Sequence, residues 1–320
     1  MRSRSAVLRS KLGLVGYIVV LEVNLFINFP LENERGKMDW KKSLQKIEYW
    51  LVALSGGLVV LHLTLIDKSQ NENLFSTATL TWLTIGSLLW DRRKKLILES
   101  DTASTFVGMV LVVLMIIRNL STTDSSLRLF PLIAGVGVIL IASGFKSLKS
   151  YGKEIILLGL LLFLRLVTIV LNAFDLPLLT AKVSAFMLWF VGFDVVRQGV
   201  VIALPTGRVE VYGACSGVES IVLMLCIAIL FFFLITISHW QKVICVAIAV
   251  TLGFMVNAFR VALLAFFVDV QQPKAFEYWH SSDGSLSFAI VSVFMFGLFC
   301  WLVYVRNLTP SSAIDKRKSS

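Results

Sequence analysis

Apolar residues in this chain come in long runs separated by short polar stretches, and from Trp50 onward several runs approach the ~17-residue lower limit for crossing a bilayer. The pattern predicts spans at about 50–66, 74–90, 103–117, 130–145, 155–171, 218–238, 243–268 and 285–304. The connection between the fifth and sixth spans is more than a loop. Within it Ala181–Val196 is apolar with Lys182 and Asp194 near its ends, which suits an interfacial or re-entrant helix. Val200–Leu204 and Arg208–Tyr212 then alternate around Pro205-Thr206-Gly207, which predicts a short β-hairpin just before the sixth span. No internal repeat is visible, so the inverted-repeat layout of many transporters has no support in the pattern.

Composition agrees with the pattern. The 320 residues are 57% hydrophobic and only 16% charged, with a mean hydropathy of +0.82, more apolar content than a soluble domain of this size needs. The net charge of +10 falls in clusters that orient the spans. Asp91-Arg92-Arg93-Lys94-Lys95 follows the second span, Lys146, Lys149 and Lys153 the fourth, Lys242 the sixth, and Lys316-Arg317-Lys318 the eighth. Eight spans with both chain ends cytoplasmic satisfy all these signs together. The expected fold is therefore an all-α polytopic membrane protein of about eight transmembrane helices, with the β-hairpin on the outer, periplasmic side. No basic stripe interleaved with aromatics points to nucleic acid, and the lipid bilayer is the first partner.

Residues 1–48 differ from the rest. Met1–Lys11 is basic, and the apolar Leu12–Phe29 carries Glu22, Asn24 and Asn28. A charge that deep in a bilayer costs roughly 2.5–3.5 kcal/mol, and a ninth span would put the basic Met1–Lys11 outside. The segment reads as a signal-like stretch, an interfacial helix, or an extension before a start at Met38, where Lys41, Lys42 and Lys46 follow. The expected organisation is an extension over 1–48, a single integral membrane domain over 49–304, and a basic cytoplasmic tail over 305–320.

Candidate chemistry gathers at Gly213-Ala214-Cys215-Ser216-Gly217-Val218-Glu219. Ser216 and Glu219 have the S-x-x-E spacing of a capping box, which predicts a helix start at Gly217 with Cys215 beside its positive end. A thiol there is a candidate nucleophile; it also reads as a small buried residue at a helix entrance. Glu219 puts a negative charge near the thiol, so the helix end alone does not ionise it. The other cysteines, Cys226, Cys245 and Cys300, lie in apolar runs as structural filler. The three histidines are well separated, and neither a metal site nor a cofactor is expected.

With the sixth span running inward from Gly217, the seventh runs outward, and Arg260 lies seventeen residues along it, roughly 25 Å. His280 follows in the next outer loop. Topology thus places Cys215, Arg260 and His280 at one membrane face. An imidazole activates a thiol as base and then protonates a leaving amine, and an arginine suits the oxyanion of acyl transfer. Asn257, one turn before Arg260, is placed to orient its guanidinium, and Asp283, three residues after His280, to fix the imidazole tautomer. Each has a plainer reading: Arg260 snorkelling to headgroups, His280 joining the aromatic belt of Tyr278 and Trp279. His62 and His239 read as structural, and Arg165 inside the fifth span is flagged by its burial cost.

These residues carry a resemblance. Ala214-Cys215-Ser216-Gly217 opening one span, Asn257-Ala258-Phe259-Arg260 late in the next and His280 before the last resemble the exosortase/archaeosortase family of membrane cysteine transpeptidases, over about residues 180–304. His62-Leu63-Thr64-Leu65, Gly86–Arg93 and Leu98-Glu99-Ser100 are similar to the cyanobacterial branch, the cyanoexosortases. The resemblance implies exported protein substrates with a C-terminal sorting signal of the PEP-CTERM type: motif, transmembrane helix and basic tail. It also implies an active site on the extracytoplasmic face of the plasma membrane. Cys215 would form a thioester, His280 act as general acid/base and Arg260 stabilise the transition state, before transfer to an acceptor nucleophile that the sequence does not identify. Water as acceptor would make the chain a plain protease.

Two other classes compete. A transporter or channel for an anionic solute would converge Arg165, Arg260 and His280 near the midplane around a through-going cavity. A structural scaffold would show no convergence. The enzyme requires a shallow pocket with the Cys215 sulfur and the His280 ring within roughly 3–4 Å.

Overall fold

The computed structural model describes residues 47–119 and 123–306, so the expectations for residues 1–46 and for the tail beyond Arg306 lie outside the described residues. The chain forms two compact units, one ending at Phe163 and the other beginning at Leu164.

The first unit is a run of helices: α1 (Ile47–Lys68), α2 (Glu72–Arg92), α3 (Thr102–Arg118) and α4 (Asp124–Ser143), then a 3-10 segment (Phe145–Tyr151) and α5 (Gly152–Leu158). Short polar residues define the starts. The side chains of Asn71, Asp101 and Thr123 each accept the backbone N–H three residues on, satisfying a donor that a helix start leaves unpaired. Helices α3 and α4 meet where Gly108 faces Gly137: a Cβ on Gly108 would stand 2.5 Å from the Gly137 carbonyl oxygen. Small residues allow this backbone approach in an apolar bundle, where dispersion has to hold helices together.

Pro131 inside α4 explains the buried His62 of α1. Proline has no N–H, so the Leu127 carbonyl four residues earlier loses its helical donor. His62 Nε2–H donates to that carbonyl at 2.8 Å, while Nδ1 accepts Trp82 Nε1–H at 3.1 Å and the ring stacks on Phe130 at 5.0 Å. Both ring nitrogens are used, and His62 has a structural task. At the basic end of the unit, Arg92 at the end of α2 donates to Glu154 Oε1 and to the Ser150 carbonyl, both at 2.8 Å. This joins the two basic turns that the sequence assigns to one membrane face.

α6 (Leu160–Asn172) leads into the second unit, which continues with α7 (Leu176–Val191), strands β1 (Val196–Gln198), β2 (Val201–Leu204) and β3 (Gly207–Glu210), and a 3-10 turn (Gly213–Cys215). Then come α8 (Val218–Leu234), α9 (His239–Asp269), α10 (Pro273–His280) and α11 (Ser282–Cys300), which passes into a π turn (Trp301–Val305). The strands form an antiparallel sheet in the order β1-β2-β3. Ile202, Leu204, Val211 and Cys215 share a core with Ala181, Ala185 and Leu188 of α7 and Val261, Ala262 and Ala265 of α9.

The protein is mostly helical; seven of the expected spans each fall largely on one helix, whereas the fifth, 155–171, is divided between α5 and α6 at Gly159. Among the described residues, five helical segments are long and apolar enough to cross a membrane: Tyr49–Lys68, Asp124–Ser143, Phe145–Asn172, His239–Asp269 and Gly284–Tyr304. Thr102–Arg118, Leu176–Val191 and Val218–Leu234 are apolar but shorter. The expected helix at Ala181–Val196 starts five residues earlier, at Leu176. Asp175 caps it, Pro177 occupies its first turn, and Gly192 at φ +104° ends it in the left-handed region. The expected outer loop before the last span also contains α10, and that helix carries His280.

Candidate active site

The hairpin delivers the thiol. Leu204 pairs with Gly207, Ile202 with Val209 and Ala203 with Arg208, so Ile202, Leu204 and Val209 share the inward face while Arg208 and Glu210 share the other. The tip is tied down: Thr206 N–H donates to Asp269 Oδ1 at 3.2 Å and Thr206 Oγ1 donates to the same oxygen at 2.8 Å. The hairpin is thereby fastened to the last residue of α9.

Past β3 the chain tightens into the 3-10 turn. Cys215 N–H donates to the Tyr212 carbonyl at 2.9 Å and Ser216 N–H to the Gly213 carbonyl at 3.2 Å. Here the expected capping box does not form. Ser216 sits at φ −68°, ψ −18°, a helical conformation, and its hydroxyl turns back to the Gly213 carbonyl at 2.6 Å. It accepts only the N–H of Val218, at 3.4 Å. α8 starts one residue later than expected, with Gly217 as its N-cap at φ +89° and no side-chain cap. Ser238 shows what Ser216 lacks: it is extended (φ −67°, ψ 162°) and makes a complete capping box with Gln241 at the start of α9.

The tight turn leaves two carbonyls without helical donors, and buried side chains supply them. Asn257 Nδ2 of α9 donates to the Cys215 carbonyl at 2.9 Å, and Thr180 Oγ1 of α7 to the Ser216 carbonyl at 2.8 Å. Ser184 Oγ of α7 donates to the Ala258 carbonyl at 2.8 Å, joining α7 to α9 beside Asn257. Asn257 therefore holds the backbone of Cys215, not the guanidinium of Arg260.

Arg260 lies one turn further along α9, half-buried, and reaches the end of α10. Its Nη2 donates to the His280 carbonyl at 3.0 Å and its Nε to the Trp279 carbonyl at 3.3 Å. These are carbonyls that a helix end leaves free, so Arg260 fixes the residue carrying the imidazole. The His280 ring stacks on Phe276, one turn earlier in α10, at 5.4 Å and 9°. Its Nε2 lies 3.9 Å from Cys215 Sγ and 3.1 Å from the Tyr212 hydroxyl.

Cys215, Tyr212 and His280 line one cavity of about 300 Å³, together with the strand residues Arg208–Val211 and with Val261, Leu264, Val268 and Phe276. The thiol is 7% exposed, and its burial pushes its pKa up. Arg260 and the Tyr212 hydroxyl act in the opposite direction, and Glu219 adds to the rise. At neutral pH the resting group is therefore the thiol, and forming the thiolate needs a base at the site. Burial also raises the Tyr212 phenol, with the Cys215 charge a further cause, so the hydroxyl keeps its proton.

Of the residues singled out by sequence, Cys215, Asn257, Arg260 and His280 come together around this turn. Ser216 shapes the turn from within, and Glu219 is exposed in the first turn of α8, acting on the thiol through charge. The side chain of Asp283 lies outside the described residues. Arg165 is exposed on α6 and does not line the cavity. Tyr212 is the residue that sequence reasoning misses. Its signal is the strand alternation, which puts residue 212 on the same face as Arg208 and Glu210, three positions before the thiol. Among the described residues no cluster of His, Cys, Asp and Glu is arranged to hold a metal ion.

The fold and the site define a class: a polytopic helical membrane protein that presents a buried thiol, an imidazole and a phenol to a single cavity. Within that class the chain belongs to the exosortase family, because residues 69–297, well over half of it, match the family described as Transmembrane exosortase (Exosortase_EpsH). No curated protein and no solved structure matches the chain. The family is one of membrane transpeptidases acting on exported proteins.

Proposed function

We propose that this protein is a membrane-embedded cysteine transpeptidase or protease that removes C-terminal sorting signals from exported proteins, with Cys215 as nucleophile. The observation that carries the reading is the 3.9 Å approach of Cys215 Sγ to His280 Nε2 at the wall of one cavity. The substrates would end in a motif, a transmembrane helix and a basic tail, as in PEP-CTERM proteins. Residues 49–304 would act as one membrane domain of eight spans, with both ends cytoplasmic and the hairpin and cavity facing outward. The basic turns after α2 and after α4, and Lys242 in the first turn of α9, support that orientation. The likeness of the segments around His62 and Gly86–Arg93 supports a place in the cyanobacterial branch.

The chemistry follows from the neighbours of Nε2. With Nδ1 protonated, Nε2 has one lone pair, for which the Tyr212 O–H and the Cys215 S–H compete. The phenol holds it at rest, being nearer by 0.8 Å (3.1 against 3.9 Å). When substrate enters, the thiol proton passes to Nε2 and sulfur attacks the scissile carbonyl carbon, leaving an oxyanion. Protonated Nε2 no longer accepts from Tyr212, so the phenol is released to donate to that oxyanion. Arg260 contributes positive charge that stabilises the thiolate and holds His280 in place. Collapse breaks the C–N bond, the leaving amine takes the proton from His280, and a thioester remains on Cys215. Attack by the acceptor nucleophile, amine or water, releases the product and restores the thiol.

The test is processing of a co-expressed exported protein with such a C-terminus. Cys215→Ala abolishes processing, while Arg260→Ala and His280→Ala lower it by orders of magnitude. Full processing by Cys215→Ala sinks the reading, and full processing by either of the others removes that residue from the mechanism.

A further inference from the structure

β3 is an outer strand of the sheet, and all the residues from Arg208 to Tyr212 line the cavity that holds the thiol. Its hydrogen-bonding phase can be read from the ladder. Val211 N–H donates to the Val200 carbonyl at 3.0 Å, and Val201 faces Glu210 in register. Hydrogen-bonded pairs alternate in an antiparallel ladder, so Val211, Val209 and Gly207 turn their backbone groups toward β2. Arg208 and Glu210 then turn their N–H and C=O groups the other way, along the free edge. An outer strand with unpaired groups is a template for another extended chain.

The rest of the cavity suits such a chain. Val261, Leu264 and Val268 of α9 line it with apolar surface, and Phe276 and His280 of α10 line it as well. The strand leads through Tyr212 to Cys215, so a chain laid along the edge runs past the sulfur. We propose that the substrate's cleavage segment docks as a fourth, extended strand on the free edge of β3, bonded to the backbone of Arg208 and Glu210. The ligand is then an extended peptide held mainly through its main chain, with side chains of one parity directed at the α9 surface. This rests on the transpeptidase reading above and specifies how its substrate is held.

Two measurements test it. In the first, Glu210→Pro is compared with Glu210→Ala in the co-expression assay. Proline removes the edge-facing N–H, keeps the β2 ladder of Val209 and Val211, and is tolerated on outer strands. Processing by the proline variant should fall roughly 3- to 10-fold or more below that of the alanine variant, the worth of one lost hydrogen bond. Equal processing by the two overturns the proposal. The second keeps the strand native. Hydrogen exchange is followed in full-length Cys215→Ala protein with and without a synthetic peptide comprising the motif, helix and basic tail. Slowed exchange at the Arg208 and Glu210 amides, with Val209 and Val211 unchanged, is the expected result. Bound peptide with no protection at Arg208 and Glu210 overturns the docking mode, whatever the proline variant does. Failure of the catalytic reading is separate, because it appears as full processing by Cys215→Ala.

Discussion

Replacing Gly217 by alanine tests how the thiol is held. Gly217 lies at φ +89°, and a Cβ there would stand 2.9 Å from Asn257 Nδ2 and 3.3 Å from its Cγ. The left-handed conformation costs an alanine roughly 1–2 kcal/mol. The contact costs more, because Asn257 must move, which breaks its 2.9 Å bond to the Cys215 carbonyl. An acceptor left unsatisfied at a buried site costs about 1–3 kcal/mol, so Gly217→Ala should lose roughly 2–5 kcal/mol in all. The second part disappears when Asn257 is already alanine, whose Cβ lies at an ordinary 3.4 Å from the new one. Gly217→Ala and Asn257→Ala should therefore be less than additive by about 1–3 kcal/mol. Equilibrium unfolding of the two single variants and the double variant in detergent micelles measures this coupling. Alkylation of Cys215 by iodoacetamide reports whether the turn has moved. Additive costs, or a mild Gly217→Ala, would refute the view that Asn257 and Gly217 jointly set the Cys215 backbone.

Other consequences follow from the same contacts. Burial raises the Cys215 pKa, so its iodoacetamide alkylation rate should still climb above the ~8.5 midpoint of an ordinary thiol. Arg260→Met removes a charge that favours the thiolate and should move the midpoint higher, while Glu219→Gln should move it lower; shifts of opposite sign contradict the assignment. Tyr212→Phe keeps the ring and loses the hydroxyl on His280 Nε2, and should lower processing roughly 100- to 1000-fold, the range for one oxyanion donor. A Tyr212→Phe variant with full processing leaves the phenol without a catalytic task. In the first unit, His62→Leu strands the Leu127 carbonyl at a cost of about 1–3 kcal/mol, and Pro131→Ala, which restores an N–H to that carbonyl, should recover part of it in the double variant. Unfolding measurements showing no recovery would disprove the link between His62 and Pro131.

The parts of this molecule governed by one-dimensional pattern were legible in its sequence. Apolar runs located the helices, because a membrane imposes length and hydropathy directly on the chain, and alternation around Pro205-Thr206-Gly207 located β2 and β3. Cys215, Arg260 and His280 stand out in the sequence because each is costly or reactive where it stands. The failures concern conformation and partner choice. Ser216 and Ser238 both have the capping spacing, yet only Ser238 has the extended backbone that a cap needs. Spacing predicted that Asn257 would serve Arg260, its neighbour on the helix. Its actual partner is a carbonyl 42 positions away in sequence, freed by a 3-10 turn that no periodicity announces. α10 is only eight residues long, too short to show a helical pattern between two spans. Tyr212 was overlooked because a tyrosine at a strand end looks like interfacial filler until the imidazole across the cavity is known.

If Cys215 carries the acyl group, the acyl-enzyme is visible to intact-protein mass spectrometry during processing of a co-expressed substrate. Wild-type protein should show an adduct on Cys215 that hydroxylamine releases, as expected of a thioester, and that disappears with processing in Cys215→Ala. Processing that continues in Cys215→Ala, with no adduct on the wild-type cysteine, would contradict that role for Cys215.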